Sequence, residues 1–139
     1  MGEFRAASDK FVMMTDDGSY GEKGNVTLPL KRMLEAGEKF DRVITIGPLV
    51  MMKFVALATK EYNIPTVASM NPIMIDGTGM CGGCRLTVGG ETKFACVDGP
   101  DFDAHLVDFD EAMKRSRTYA EFEAKAREKH CNLFKKEAN

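Results

Sequence analysis

Neither sign of charge predominates in this chain: 19 Lys and Arg stand against 21 Asp and Glu over 139 residues, a formal net charge of −2. A basic face for nucleic acid or for an anionic membrane surface is therefore not expected. Apolar runs are short, and none approaches the roughly 20 residues of a membrane-spanning helix. The chain does not open on a basic segment followed by an apolar one, so no secretory leader is expected. With no oxidising compartment indicated, the four cysteines read as thiols or metal ligands in a reducing cytoplasm. Internal repeats and low-complexity tracts are also missing. No G-x-G-x-x-G loop follows any candidate strand, and nothing reads as a flavin-binding segment.

What is present is enough for a packed core: 44% hydrophobic residues with 29% charged. The length fits one domain, or a piece of a larger protein. The most informative stretch is Asp76–Cys96, DGTGMCGGCRLTVGGETKFAC, which gathers three of the four cysteines into 16 residues. Its pattern is D-x4-C-x2-C-x11-C, the spacing of a plant-type [2Fe–2S] site with a carboxylate where the first thiolate would stand. Asp76, Cys81, Cys84 and Cys96 are thus the candidate ligands. Gly77, Gly79, Gly82 and Gly83 would let bare N–H groups approach the sulfurs. Three alternatives compete. Zinc could be held by Cys81, Cys84 and Cys96 with Cys131 or His105, although a second C-x2-C pair is lacking. A thioredoxin-type C-x-x-C needs a strand entering a helix, where here two strands follow. A structural disulfide has no secretory context.

Along the chain, Phe11–Met14 reads as a buried parallel strand closed by the polar Thr15–Ser19 loop. Val26–Glu35 has a helical stripe of Val26, Leu30, Met33 and Leu34, with Pro29 in the first turn and Gly37 as a stop. Arg42–Ile46 is a second strand, broken by Gly47-Pro48. Leu49–Tyr62 is a helix with Met52, Val55, Ala56 and Thr59 inward, and Thr66–Met70 is a third strand. This alternation predicts an α/β fold with a parallel sheet, the loops after Met14 and Ile46 sharing its carboxyl-terminal edge. Arg85–Val88 and Thr92–Val97 read as a hairpin about Gly89-Gly90. Asp108 caps a following helix, and Tyr119–Lys136 reads as a long charged helix carrying Tyr119, Phe122, Ala126 and Leu133 at helical spacing. His130 and Cys131 in it read as a surface histidine and a peripheral thiol. The expected divisions are 1–70, an α/β nucleotide-binding part; 71–104, the cluster module; and 105–139, a helical tail.

Ligands of parallel sheets sit at the carboxyl ends of the strands, which brings in Asp16, Asp17, Gly18, Gly47 and Pro48. A carboxylate there suits an adenosine ribose diol and repels a 2′-phosphate, favouring NAD(H) over NADP(H); the competing reading of TDDGS is a plain turn.

TDDGSYGEKGNVT, ITIGPLVMMK and SMNPIMIDGTGMCGGCRLTVGGETKFACVDGPDFDAHLVDFDEAMKR resemble the small flavin- and NAD-binding subunit of NADH-dependent ferredoxin:NADP+ oxidoreductase. The same type is known as the sulfide dehydrogenase beta subunit and is related to the electron-transfer subunit of dihydroorotate dehydrogenase. The resemblance covers about Phe11 to Tyr119. It implies a ferredoxin-reductase-type nucleotide domain, a [2Fe–2S] cluster on Asp76, Cys81, Cys84 and Cys96, and a nicotinamide nucleotide facing Asp16-Asp17-Gly18 and Gly47-Pro48. It implies FAD in the whole protein, a larger iron–sulfur/flavin partner subunit, ferredoxin as a partner, and no catalytic side chain here. The dihydroorotate-type relatives carry a fourth cysteine where this chain has Asp76. The flavin barrel, two strands and the glycine-rich loop of the family are absent, so the chain reads as a carboxyl-terminal fragment with exposed strand edges. A homodimer or higher oligomer is expected from them, and a non-redox zinc-binding interaction module is the rival reading.

Overall fold

The computed structural model describes residues 2–130, with side chains described through Arg127. Its centre is a three-stranded mixed sheet of β3 (Val43–Ile46), β4 (Thr66–Ser69) and β7 (Asp101–Asp103). β3 and β4 run parallel, with Ile44 opposite Val67 and Thr45 opposite Ala68, and β7 runs antiparallel to β4. The parallel pair is joined by α3 (Leu49–Lys60), which buries Met52, Val55, Ala56 and Thr59 against one sheet face. Those four positions follow a helical period, while Val50, Phe54 and Leu57 of the same helix stay about half exposed.

α2 (Thr27–Glu35) packs on α3 and ends in a Schellman turn, Glu38 N–H donating to Met33 O and Gly37 N–H to Leu34 O. Gly37 has φ +82°, which the turn requires.

The first expected strand does not join this sheet. β1 (Met14–Thr15) pairs instead with β2 (Glu22–Lys23), a separate two-stranded ribbon in which the strands run parallel. The chain returns beside itself because Gly21, at φ +76°, approaches the Met13 carbonyl so closely that a Cβ would lie 2.3 Å from the oxygen. Glu22 N–H then donates to Met13 O and Gly24 N–H to Thr15 O, so the backbone groups of β1 are taken locally. The loops after Met14 and Ile46 consequently do not share an edge of one sheet.

From β4 the chain leaves the sheet, forms the hairpin β5 (Arg85–Val88) and β6 (Glu91–Phe94), and returns as β7. The exit and return are tied by Met70 N–H donating to Pro100 O at 2.9 Å. α4 (Phe109–Ser116) begins at Asp108, whose carboxylate accepts the Glu111 N–H at 2.9 Å. Met52 and Ala56 of α3, Ala68 and Met70 by β4, Cys84, Leu86 and Ala95 of the hairpin, and Phe109 and Ala112 of α4 form one buried cluster. The five-residue α1 (Gly2–Ala6) and α5 (Ala120–His130) lie outside it, and Tyr119, Phe122 and Ala126 are exposed. Leu133 and Cys131 lie outside the described residues. No helix among those described is long and apolar enough to cross a membrane.

The sheet face opposite α3 is uncovered among the described residues. Ile44 and Ile46 are 65% and 70% exposed, and β3 has no second neighbour.

Candidate iron–sulfur site

The β5–β6 hairpin turns at Gly89-Gly90, both at positive φ, as a two-residue type I′ turn demands. Its register, Arg85 opposite Phe94, sets the residue before β5 across from the residues after β6. Cys84 thus accepts the Ala95 N–H on its carbonyl at 3.2 Å, and its Sγ lies 3.2 Å from Cys96 Sγ. Cys84 is buried at 2% exposure and Cys96 is half-buried. β6 is shorter than the expected Thr92–Val97 strand, for a visible reason. The Asp98 carboxylate accepts the Phe94 N–H at 2.7 Å while Asp98 N–H donates to Phe94 O at 2.8 Å. This reciprocal pair curls Ala95–Val97 into a turn and aims Cys96 at Cys84.

The other two candidates are also adjacent. Asp76 accepts the Thr78 N–H at 2.9 Å on one oxygen and the Cys81 N–H at 2.7 Å on the other. The Thr78 amide, followed by the Cys81 amide and thiol, holds the Asp76 carboxyl below its ordinary range, so it is ionised at neutral pH. The Gly83 N–H points at Cys81 Sγ at 3.4 Å. In the other pair the thiol hydrogen bond from Cys84, with desolvation adding, pushes the Cys96 thiol up.

The candidate donors therefore group as Cys84 with Cys96, sulfur to sulfur, and Asp76 with Cys81, carboxylate to the Cys81 backbone N–H. A lone zinc ion requires its ligands to converge, each about 2.0–2.3 Å from one centre. A dinuclear cluster has two irons, each taking two protein ligands, and this grouping fits that demand. Cys81, Cys84 and Cys96 are outside any disulfide, so their sulfurs are available to bind as thiolates. His105, a possible zinc ligand from sequence, is committed elsewhere: its Nε2 lies 3.1 Å from the buried Thr59 hydroxyl. Cys131, the other, lies outside the described residues.

The nucleotide candidates are divided between two places. Gly47 and Pro48 join β3 to α3, and Asn71 at the end of β4 donates to Gly47 O at 3.3 Å, so the carboxyl ends of both strands meet there. Asp16, Asp17 and Gly18 lie on the β1–β2 ribbon, where Asp17 accepts the Ser19 N–H at 2.9 Å and is held below its usual value by that amide. No described hydrogen bond links the two groups.

Two residues that sequence reading passed over shape the site. Asp98 follows Cys96 by two positions in a Val-Asp-Gly-Pro turn, which was a usable signal. Arg115 of α4 donates from Nε to Arg85 O at 3.1 Å and from Nη2 to Gly83 O at 3.4 Å. A cation on a charged helix carries no such signal.

The chain is similar to several known proteins. Residues 71–108 match the family model described as the iron–sulfur cluster binding domain of dihydroorotate dehydrogenase B. A Clostridium beijerinckii protein from the adh 3′ region is 57% identical over 123 residues, covering 88% of this chain and 41% of that protein. A Thermotoga maritima homologue of the dihydroorotate dehydrogenase B (NAD(+)) electron transfer subunit is 50% identical over 121 residues, covering 87% of this chain and 42% of that one. A solved structure described as NADH-dependent reduced ferredoxin-NADP oxidoreductase, studied for flavin-based electron bifurcation, superposes with a TM-score of 0.81 at 46% identity. The match covers 93% of this chain and 46% of that one. The chain thus spans about two-fifths of the length of these two curated relatives, at 41% and 42%. Residues 71–108 are thus similar to the iron–sulfur cluster binding domain of dihydroorotate dehydrogenase B, within a chain similar over most of its length to an electron-transfer subunit homologue.

Proposed function

We propose that this chain is the electron-transfer portion of a cytoplasmic flavin- and iron–sulfur-dependent NAD(P)H oxidoreductase, relaying single electrons between a flavin and a partner subunit. Asp76 and Cys81 would ligate one iron of a [2Fe–2S] cluster, and Cys84 and Cys96 the other. The cluster supplies one-electron chemistry, accepting in single steps what a flavin receives as a hydride pair. The chain's own part is to hold four anionic donors in fixed pairs, to aim the Gly83 amide at one sulfur, and to shield Cys84 from solvent. No side chain here acts as a general acid, base or nucleophile. The observation that carries the reading is the 3.2 Å approach of Cys84 Sγ to Cys96 Sγ, together with Asp76 held at the Cys81 amide.

In the same reading the α/β part forms one side of a ferredoxin-reductase-type nucleotide site. Gly47 and Pro48 would face the nicotinamide nucleotide, with Asp16, Asp17 and Gly18 toward the ribose and FAD bound elsewhere in the whole enzyme. A larger iron–sulfur/flavin subunit and ferredoxin are the proposed partners. The free edge of β3, with Ile44 and Ile46 beside it, supports self-association of the isolated chain. A light-scattering mass of one chain at micromolar concentration would count against that association.

The test of the main reading is the visible spectrum and metal content of protein purified without oxygen. Red-brown protein whose bands bleach under dithionite, with iron lost in Asp76→Ala, is the expected result. Colourless protein holding about one zinc per chain, indifferent to Asp76→Ala, would replace the relay with a zinc-binding structural module.

A further inference from the structure

We propose that Arg115 is a positioning residue for the iron–sulfur site: its guanidinium fork fixes the loop carrying Cys81 and Cys84 and sets the local charge there. The inference rests on the iron–sulfur reading of this loop.

Gly83 and Arg85 flank the buried Cys84. Their carbonyls are the two acceptors that Arg115 reaches, Nε to Arg85 O at 3.1 Å and Nη2 to Gly83 O at 3.4 Å. One planar cation therefore spans both sides of a single ligand, and Gly83, whose carbonyl it reaches, directs its own N–H at Cys81 Sγ. A guanidinium presents its donors in a rigid fork and holds its charge at any working pH, which an ammonium on a flexible stem cannot reproduce.

The support behind Arg115 is rigid. It stands in the last turn of α4, whose Phe109 and Ala112 are buried in the core. The helix start is anchored to the hairpin by Asp108 N–H donating to Thr87 O at 2.9 Å. It is anchored to α3 by Lys53 Nζ, at 2.7 and 2.9 Å from the two Asp110 carboxylate oxygens. The fold thus brings a cation from one element to a loop on another. Arg115 joins none of the ion pairs among the described residues. A positive charge close to an iron–sulfur centre favours the state with the extra electron.

The experiment uses the full chain reconstituted with iron and sulfide, comparing wild type with R115M, R115K and K114M. Two quantities are read: the rate of iron release to a chelator, and the ratio of reduced to oxidised protein at fixed solution potential. In R115M, release should quicken several-fold, and the ratio should fall about threefold or more, where tenfold corresponds to ~59 mV for one electron. R115K should release iron faster than wild type while keeping a ratio near it, because the charge remains and the fork does not. K114M, which removes a neighbouring charge without these contacts, should change neither. R115M matching wild type in both readings would overturn the proposal, as would K114M lowering the ratio equally. If R115M does not fold, R115K decides: iron release at the wild-type rate overturns the positioning role. Wild-type protein that takes up no iron overturns the iron–sulfur reading itself, and this inference with it.

Discussion

Leu86→Ala tests whether the cysteine hairpin and the α/β sheet share one core. Leu86 is 1% exposed and belongs to the same buried cluster as Met52 of α3, Ala68 of β4 and Phe109 of α4. Removing three buried carbons costs about 2.4 kcal/mol at ~0.8 kcal/mol each. The residual cavity adds to this, because helix, sheet and hairpin all meet there and none can move in alone. A total of about 3–4 kcal/mol follows, within the range for buried leucines. For a chain of this size that lowers Tm by roughly 10 °C or more. Urea unfolding followed by circular dichroism is the assay. The midpoint should fall with m unchanged, and probes on the hairpin and on α3 should report the same transition. A loss below about 1 kcal/mol, or a hairpin that melts separately while α3 keeps its midpoint, would refute the shared core.

In reduced, metal-free protein, Cys81 should be alkylated well before Cys84 and Cys96, because Cys81 is exposed, Cys84 is buried and the Cys96 thiol is pushed up by its neighbour. Peptide mass mapping that finds Cys96 modified as fast as Cys81 would count against the pairing. The Asp76 carboxyl is held below its ordinary value near 3.8, so its hydrogen bonds stabilise the loop above the unfolded pKa and are lost as pH falls through the lower folded one. In metal-free protein the Thr78 and Cys81 amide resonances should therefore shift in that acid window and not in Asp76→Asn; a shift surviving in the variant would reject the assignment. Gly21→Ala places a Cβ against the Met13 carbonyl at positive φ and should cost on the order of 1–3 kcal/mol in the ribbon. Hydrogen exchange should quicken at Glu22 and Gly24, and unchanged protection would show that the ribbon tolerates the strain.

Much of this architecture was legible in the residues, and the parts that were not have physical reasons. α3 was readable because its inward stripe recurs at helical spacing, and the Asp108 cap because a carboxylate three residues before a free amide is a local signal. β7 was not readable. Asp101-Phe102-Asp103 has no strand propensity of its own and is extended because β4 offers it a ladder. The apolar run before Thr15 suggested a sheet strand, yet its partner is a charged dipeptide eight residues on, brought there by Gly21. The candidate ligands stood out because cysteines are scarce and their spacing is constrained. Arg115 did not, because a cation on an amphipathic helix ordinarily faces solvent, and only the fold shows which carbonyls it meets.

The hydrogen bond from Met70 to Pro100 has an evolutionary consequence. Because it closes the base of the excursion between β4 and β7, the exposed loops within that excursion can lengthen or shorten while the strands it leaves stay tied together. Each doubling of such a loop costs only about 0.6 kcal/mol in closure entropy. The sheet constrains such changes chiefly through the faces that Cys84, Leu86 and Ala95 turn into the core. Descent can therefore vary the exposed candidate ligand Asp76, a carboxylate for a thiolate, while the faces packed into the core are kept.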